Sequence, residues 1–318
     1  MPSVLRRCWI AFWLPLAATL PGGCDDPADS SNAPSDRPLV VCTTTMIADL
    51  ARQIGGDDLV IASIMKPGQD PHIYEPRPDD SILFSRARLV LINGLHLEGK
   101  MLDMIDRAGD KVVALAEDER IPRRPSAAAR SAPDPHVWWN ARHFQVFARR
   151  AAEAFARIDP DRKDAYAARA EAYCERLEAL HQRILAGIQT IPESARYMIT
   201  SHDAFYYYGE AYGLQVDAVL GISTDASANA LEPARLARIV ADRKIPAIFH
   251  ETSVSQAQNE LVDSIRRLAR EQYGHEVRIA GPLYSDSLDE PGTPAGTYLG
   301  ALEANTRMIV EALGGRME

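Results

Sequence analysis

The chain has 318 residues, of which 46% are hydrophobic and 25% charged, an ordinary composition for a soluble globular protein. This length favours two lobes over a single core. The formal net charge of -9 and the pI near 5.4 argue against a nucleic-acid-binding protein, because phosphates require a basic surface. An acidic surface suits a protein that handles cations, but charge alone does not indicate one.

The N-terminal end has the pattern of an export signal. A pair of arginines precedes an apolar run over residues 9–20, which is too short to span a bilayer. Cys24 follows a Pro-Gly-Gly sequence that resembles the lipobox of bacterial lipoproteins, although the leucine usual three residues earlier is displaced to Leu20. We predict a signal peptide over residues 1–23, a lipidated Cys24 and a flexible tether over residues 24–38. The alternative is an ordinary cleaved signal with a chance cysteine.

Short β-type runs alternate with helical stretches after the tether. We predict strands at residues 39–42, 59–64, 87–93 and 111–116, a helix near residues 46–54, and a surface loop over residues 118–135. This alternation predicts a parallel sheet with helices on its faces.

The middle of the chain predicts two helices, over residues 141–158 and 161–190, with a break at Pro160. In the second helix, apolar residues recur at spacings of three and four from Tyr166 to Ile188, which is typical of a long, half-buried helix. Such a helix would hold the two halves of the chain in a nearly fixed relation.

The alternation resumes in the second half. We predict strands at residues 196–200, 214–220, 245–249 and 276–281, and helices near residues 204–212, 232–242, 257–272 and 294–313. The predicted fold class is α/β, with two lobes, each a mostly parallel sheet flanked by helices, joined by one long backbone helix. We place the N-terminal lobe at residues 39–160, the linking helix at 161–190 and the C-terminal lobe at 191–318, and expect each lobe to have its own core.

The tripeptide Asp-Pro-His occurs twice, ending at His72 and at His136. Each copy follows a strand-like segment or loop, where a site at the carboxyl edge of a parallel sheet is built. The proline stiffens the backbone that carries the imidazole. Asp70 and Asp134 can orient a ring nitrogen or the loop amides. Two copies in a chain of eight histidines suggest a binding site.

Two further polar residues follow predicted strands, His202 in a Ser-His-Asp sequence and Asp286 in a Ser-Asp-Ser sequence. Taken alone, the first is explained by helix capping and the second by a turn. Together with His72 and His136 they place two candidates in each half, so all four side chains could converge in a cleft.

These sequences resemble a known family. The motifs that carry the resemblance are DPHIYEP, DPHVWWN, SHDAFYYYGEAYGL, GISTDA, HETSV and GPLYSDSL. In this order they are similar to those of the zinc- and manganese-specific solute-binding proteins of bacterial ABC importers, the TroA-like receptors with a helical backbone. The resemblance covers roughly residues 39–313.

The resemblance implies two α/β lobes with one Zn²⁺ or Mn²⁺ ion between them, as transported ligand and not as catalytic cofactor. Its four ligands carry over onto His72, His136, His202 and Asp286, and Glu251 supports one of them. The implied partners are the permease and ATPase of an importer and, through the lipid anchor, a membrane. We therefore expect an exported, monomeric binding protein that is not an enzyme.

The transported metal stays open. Histidine at position 202 favours zinc or mixed specificity, whereas the loop over residues 118–135 lacks the histidines that many dedicated zinc receptors carry. Three imidazoles and one carboxylate suit Zn²⁺ and, less selectively, Mn²⁺.

Two other functions compete with the metal receptor. One is a metal-dependent hydrolase that uses the same cluster, and the other is a receptor for a chelated metal such as a siderophore or haem. For the metal receptor we expect a small rigid-body change on binding, and release by displacement of a ligand loop. The foremost candidate is the loop that bears Asp286, because its sequence suggests flexibility.

Overall fold

A computed structural model describes residues 37–124, 133–225 and 229–317. The predicted signal peptide, Cys24 and nearly all of the tether lie outside these residues, as do residues 125–132 of the predicted loop over 118–135. The four strands predicted for the first half are confirmed and form one parallel sheet in the order β2-β1-β3-β4. They are β1 (Leu39–Cys42), β2 (Val60–Ser63), β3 (Leu89–Ile92) and β4 (Val112–Ala114).

Three helices accompany this sheet, α1 (Thr45–Gly55), α2 (Pro78–Arg86) and α3 (Leu102–Ala108). Helix α1 was predicted, and the hydroxyl of Thr44 caps it by accepting a hydrogen bond from the backbone N–H of Ile47. Helices α2 and α3 were missed, since each is too short for a clear apolar stripe. Pro78 in the first turn of α2 was an available signal.

The two central helices are confirmed as α4 (Ala141–Ile158) and α5 (Lys163–Gln189). A short 3-10 turn at Pro160–Arg162 joins them, and they pack against each other. Asn140 caps α4 by accepting a hydrogen bond from the N–H of Arg142 at 2.9 Å. The described part of the chain contains no helix with the length and apolar character needed to cross a membrane.

The strands of the second half are confirmed, and their ladders are parallel. They form two pairs instead of one sheet, β5 (Tyr197–Thr200) with β6 (Gln215–Ala218) and β7 (Ala247–Glu251) with β8 (Arg278–Leu283). Strands β5 and β7 lie beside each other without a ladder. The helices are α6 (Tyr206–Tyr212), α7 (Glu232–Arg243), α8 (Gln256–Tyr273) and α9 (Tyr298–Ala312).

One hydrophobic core runs through both halves. It includes residues of the first sheet, of α1, α4, α5 and α9, and of β5 and β7. The ring of Phe144 on α4 stacks on that of Tyr298 on α9, with 3.6 Å between the ring centroids. The expectation that each lobe has its own core is therefore wrong. The hydrophobic pattern of a helix indicates that a face is buried but not what buries it.

A smaller core covers the other face of the first sheet. Side chains alternate between the two faces of a strand, so Val40 and Cys42 join the shared core whereas Val41 joins the smaller one. Residues from Arg37 to the C-terminal end form one compact unit. The lobe borders at residues 160 and 190 therefore stay a prediction.

The shared core predicts that the two halves unfold together. Replacing Phe144 with alanine should lower the free energy of unfolding by about 3–5 kcal/mol, because it opens a cavity between α4 and α9. Chemical denaturation followed by circular dichroism should show one transition at a lower denaturant concentration. Two separated transitions would contradict a common core. Phe84→Ala, in the smaller core, is the matched control for loss of a buried ring.

Candidate metal centre

Four side chains from separate parts of the chain meet in one buried cluster, as expected from the sequence. His72 lies in the loop between β2 and α2, and His136 directly precedes the 3-10 turn at Val137–Trp139 that leads into α4. His202 follows the carboxyl end of β5, and Asp286 follows that of β8. Each half of the chain contributes two of the four.

The potential ligand atoms of the cluster all lie within 4.8 Å of one another. The Nε2 atoms of His72 and His136 are 3.1 Å apart. The Oδ2 atom of Asp286 lies 3.1 Å from Nε2 of His202 and 3.7 Å from Nε2 of His72. Its Oδ1 atom lies 3.6 Å from Nε2 of His136. The four donors therefore face a common centre.

The cluster is buried and its polar atoms are not satisfied. His72 is the most exposed member, at 7%, while Asp286 is 2% exposed and His136 and His202 are fully buried. Among the described residues, Nε2 of His202 and both carboxylate oxygens of Asp286 lack a hydrogen-bond partner. Nε2 of His202 and Oδ2 of Asp286 contact each other at 3.1 Å as an ion pair without hydrogen-bond geometry. A cation at the centre would satisfy these atoms together, so the donor set fits a metal ion.

Asp70 supports His72 through the backbone. Its Oδ1 atom accepts a hydrogen bond from the N–H of His72 at 2.9 Å, and its Oδ2 atom accepts one from the hydroxyl of Thr224 at 2.6 Å. Burial and, to a smaller extent, the nearby Asp286 raise the pKa of Asp70 to about 6. Of the two roles considered for Asp70, the structure shows the one that orients a loop amide.

Asp134 supports His136 through both its ring and its backbone. Its Oδ1 atom accepts hydrogen bonds from Nδ1 of His136 at 2.8 Å and from the N–H of His136 at 3.0 Å. With the ring proton on Nδ1, the unprotonated Nε2 faces the cluster. Arg124 forms ion pairs with Asp134 at 3.1 Å and with Asp203 at 2.6 Å.

Glu251 supports His202 in the same way. One carboxylate oxygen lies 2.6 Å from Nδ1 of His202, and the other accepts a hydrogen bond from the N–H of His202 at 2.8 Å. Asn259 holds Glu251 in turn, since its amide group donates to the carbonyl of Glu251 and its amide oxygen accepts from the N–H of Glu251. These contacts all come from the second half of the chain.

The segment around Asp286 is tightly held. Residues 285–288 are buried, and the N–H of Asp286 donates a hydrogen bond to Oγ of Ser253 at 3.0 Å. The premise that this segment is flexible is wrong. Its Gly, Pro and Ser content suggested a loose loop, but remote parts of the chain fix it.

The charges of the cluster are set by burial and by the proximity of its members. Burial lowers the pKa of His72 to about 3, so this ring is neutral at pH 7. Burial alone would lower the pKa of His202, but Glu251 and then Asp286 raise it well above its usual value. Burial opposes ionisation of Asp286, yet the three histidines, foremost His202, hold its pKa well below its usual range. The metal-free cluster therefore pairs a protonated His202 with an ionised Asp286.

The sequence did not identify several residues that hold the ligands. Thr224 and Ser253 lie within the GISTDA and HETSV motifs, which were a usable signal. Arg124 lies in a segment with no recognisable pattern. Hydroxyl groups that bond across long sequence separations leave no local signature.

The two α/β halves, the long central helix and the histidine–aspartate cluster define a solute-binding protein of the helical-backbone class. The family model described as zinc-uptake complex component A, periplasmic, matches residues 40–312. The chain therefore belongs to this family.

Relatives of known name span nearly the whole chain. The manganese-binding lipoprotein MntA of Bacillus subtilis (strain 168) is 37% identical, covering 92% of this chain and 94% of its own length. The zinc-binding protein TroA of Treponema pallidum (strain Nichols) is 35% identical, covering 89% and 92%. The solved structure of the periplasmic zinc-binding protein TroA from Treponema pallidum superimposes with a TM-score of 0.81, at 35% identity, covering 87% of this chain and 99% of its own. These similarities confirm the family resemblance and the fold class.

Loss of a ligand should affect metal affinity far more than stability. We predict that Asp286→Ala and His72→Ala each weaken zinc binding by more than about 100-fold, since loss of a residue that only supports a ligand already costs about 10- to 100-fold. The metal-free protein should lose little stability with Asp286→Ala, because the closest contact of the carboxylate that is removed is its ion pair with His202 at 3.1 Å, and Glu251 still pairs with that ring at 2.6 Å. Competition with a chromophoric chelator gives the affinity, and thermal unfolding gives the stability.

His275→Ala is the control, because Nε2 of His275 lies 2.9 Å from the carbonyl oxygen of Ile245 and outside the cluster. It should bind zinc like the parent protein. Unchanged zinc affinity in Asp286→Ala or His72→Ala would refute the ligand assignment.

The raised pKa of His202 predicts that metal binding releases a proton. The imidazole must be neutral to bind a metal, so the proton on His202 has to leave, and about one proton per ion should appear in solution at pH 7. Because His202 is still protonated at pH 7 in the metal-free protein, the affinity should already fall as the pH is lowered from above 7, and it should continue to fall at lower pH. Calorimetry in buffers with different ionisation enthalpies measures the proton count. Zinc retained with unchanged affinity down to about pH 4.5 would count against three imidazole ligands.

Proposed function

We propose that this protein captures one divalent transition metal ion, zinc or manganese, outside the inner membrane and delivers it to an ABC importer. His72, His136, His202 and Asp286 are the ligands in this proposal. The observation that carries it is the buried cluster itself, in which ligand atoms within 4.8 Å of one another include buried atoms without hydrogen-bond partners. Such an arrangement is costly for the empty protein and is compensated when a cation binds.

The supporting carboxylates strengthen this proposal. Asp134 and Glu251 each hold the Nδ1 atom of a histidine, which leaves Nε2 directed at the centre. A carboxylate hydrogen-bonded to the second nitrogen of a metal-binding imidazole fixes its orientation and raises its basicity. The site is thus organised before the ion arrives.

The donor set supports a binding protein over a hydrolase. A catalytic zinc ion keeps one coordination position open for water or substrate, with three protein ligands filling the others. Here four protein donors face the same centre, which matches the full tetrahedral shell of a structural or transported zinc ion. His136, His202 and Asp286 are also too deeply buried to meet a second reactant.

The dimensions of the cluster argue against a chelated metal as ligand. A siderophore or haem would need a roomy cleft beside the donors, whereas the donor atoms enclose a space suited to a single ion. A larger cavity, of about 800 Å³, lies beside β4 and α4, and none of the four donors lines it.

The chemistry of the site accommodates both metals. Three imidazoles favour zinc, which any such site binds more tightly than manganese, so affinity measured in solution does not identify the transported metal. The two relatives differ in the metal that their names give: one is named a manganese-binding lipoprotein and the other a zinc-binding protein. We therefore propose both metals as candidates.

In this proposal the protein is exported, anchored through a lipidated Cys24, and works as a monomer with a permease and an ATPase. The N-terminal sequence supports the export and the anchor, and the name of the Bacillus subtilis relative describes a lipoprotein. ATP hydrolysis belongs to the partner, since the chain lacks a phosphate-binding GxxxxGK[ST] sequence.

Metal analysis of the protein purified without added metal tests this function. We expect about one equivalent of zinc or manganese per chain, and none in Asp286→Ala. Deletion of the gene in its own host should lower the uptake of labelled zinc or manganese, and whichever uptake falls identifies the metal. A bound organic ligand without metal, or hydrolytic activity that requires the cluster, would overturn the proposal.

A further inference from the structure

The segment that carries Asp286 follows β8 in the second half of the chain, but the first half holds it. Two indole groups in the 3-10 turn before α4 bind the residue before the aspartate. Nε1 of Trp138 and Nε1 of Trp139 donate hydrogen bonds to the carbonyl oxygen of Ser285, at 3.2 and 2.8 Å. Both tryptophans are buried, so water does not compete for these bonds.

The residues after the aspartate are also bound to the first half. The backbone N–H of Leu288 donates a hydrogen bond to Oγ1 of Thr45 at 2.8 Å, and the backbone N–H of Gly68 donates one to Oγ of Ser287 at 2.8 Å. Thr45 stands at the start of α1, and Gly68 in the loop that leads to His72. The chain is therefore tied to the first half on both sides of Asp286.

These ties matter because, among the described residues, the carboxylate of Asp286 has charged partners only inside the cluster. A carboxylate holds the rings of His136 and His202, whereas neither oxygen of Asp286 has a hydrogen-bond partner among the described residues. The direction of this carboxylate therefore depends on its backbone. That backbone is fixed by Ser253 from the second half and by Thr45 and its neighbours from the first.

The hydroxyl of Thr45 is not needed to begin its helix. Thr44 caps α1, because its hydroxyl accepts the hydrogen bond from the N–H of Ile47. The strong contact of the Thr45 hydroxyl is the one it accepts from Leu288 across the protein; its other contact is a weak one with the sulfur of Met46, at 3.5 Å. A purely local role in the helix does not account for it.

We propose that Thr45 is a positioning residue for the carboxylate ligand Asp286, acting from the opposite half of the protein. This inference rests on the proposed function, in which Asp286 binds the ion. Loss of the hydrogen bond between Leu288 and Thr45 would free one side of the backbone that carries this carboxylate. Thr45 thereby links the retention of the metal to the contact between the two halves.

The test compares Thr45→Val with Thr45→Ser. Valine keeps the shape of threonine but cannot accept the hydrogen bond, whereas serine keeps the hydroxyl. Rapid mixing of the zinc-loaded protein with an excess of chelator measures the dissociation rate. We expect dissociation about 10-fold faster in Thr45→Val, the lower end of the range for residues that support a metal ligand, and a rate near that of the parent protein in Thr45→Ser.

Thr190→Val is the matched control. Oγ1 of Thr190 also accepts a backbone hydrogen bond from a distant residue, the N–H of Arg316 at 2.7 Å, but at the far end of α5. It should change the melting temperature without changing zinc dissociation. A purely structural role for Thr45 would instead make Thr45→Val resemble Thr190→Val in both measurements.

Ser287→Ala provides a second, independent variant, because it removes the acceptor for the N–H of Gly68 on the same side of Asp286. It should also accelerate zinc release. Parent-like dissociation in both Thr45→Val and Ser287→Ala would overturn the inference while leaving the metal-receptor function intact. Failure of the parent protein to bind zinc or manganese would instead overturn the proposed function.

Discussion

Parallel strand pairing is the constraint on which the site depends. Every ladder among the described residues is parallel, so within each sheet the carboxyl ends of the strands meet at one edge. His202 and Asp286 follow directly from such ends, and the loop with His72 leaves the end of β2. No single segment could supply four donors at this spacing. The strands fix where the loops begin, and the loops then direct the side chains toward the common centre.

The contacts that hold the residues of the cluster in place differ in kind. His136 and His202 are held through their rings by carboxylates outside the cluster, whereas the hydrogen bond that holds Asp286 is made by its backbone. The shared hydrophobic core keeps the frame of these contacts in place, because α4 and α9 pack directly on each other. Large relative motion of the halves would have to disrupt this core as well as the ties around Asp286.

The sequence predicted most elements and the convergence of the four cluster residues, because strand and helix periodicity and the two Asp-Pro-His motifs are local signals. Helices α2 and α3 escaped since their apolar stripes are too short. The shared core was not predicted, because the amphipathic pattern of a helix does not indicate which element covers its buried face. Thr45 and Ser253 escaped for a related reason: each bonds a residue far along the chain, and their identity alone carries no information about that contact.

The unequal burial of the four donors has a consequence for how the ion exchanges with its surroundings. Among the four donors, His72 lines a cavity of about 350 Å³ in the described part of the chain, and its lining also includes Lys100 and Asp225 from opposite halves, whose charged atoms are 3.3 Å apart. A chelator in solution reaches this one edge of the His72 ring and cannot bind an ion that the other three donors enclose. The rate at which chelators remove the ion is then limited by the opening of the protein. This rate no longer depends on the chelator concentration once that concentration is high. In the proposed function, the protein would therefore retain its ion by a kinetic barrier in addition to its affinity.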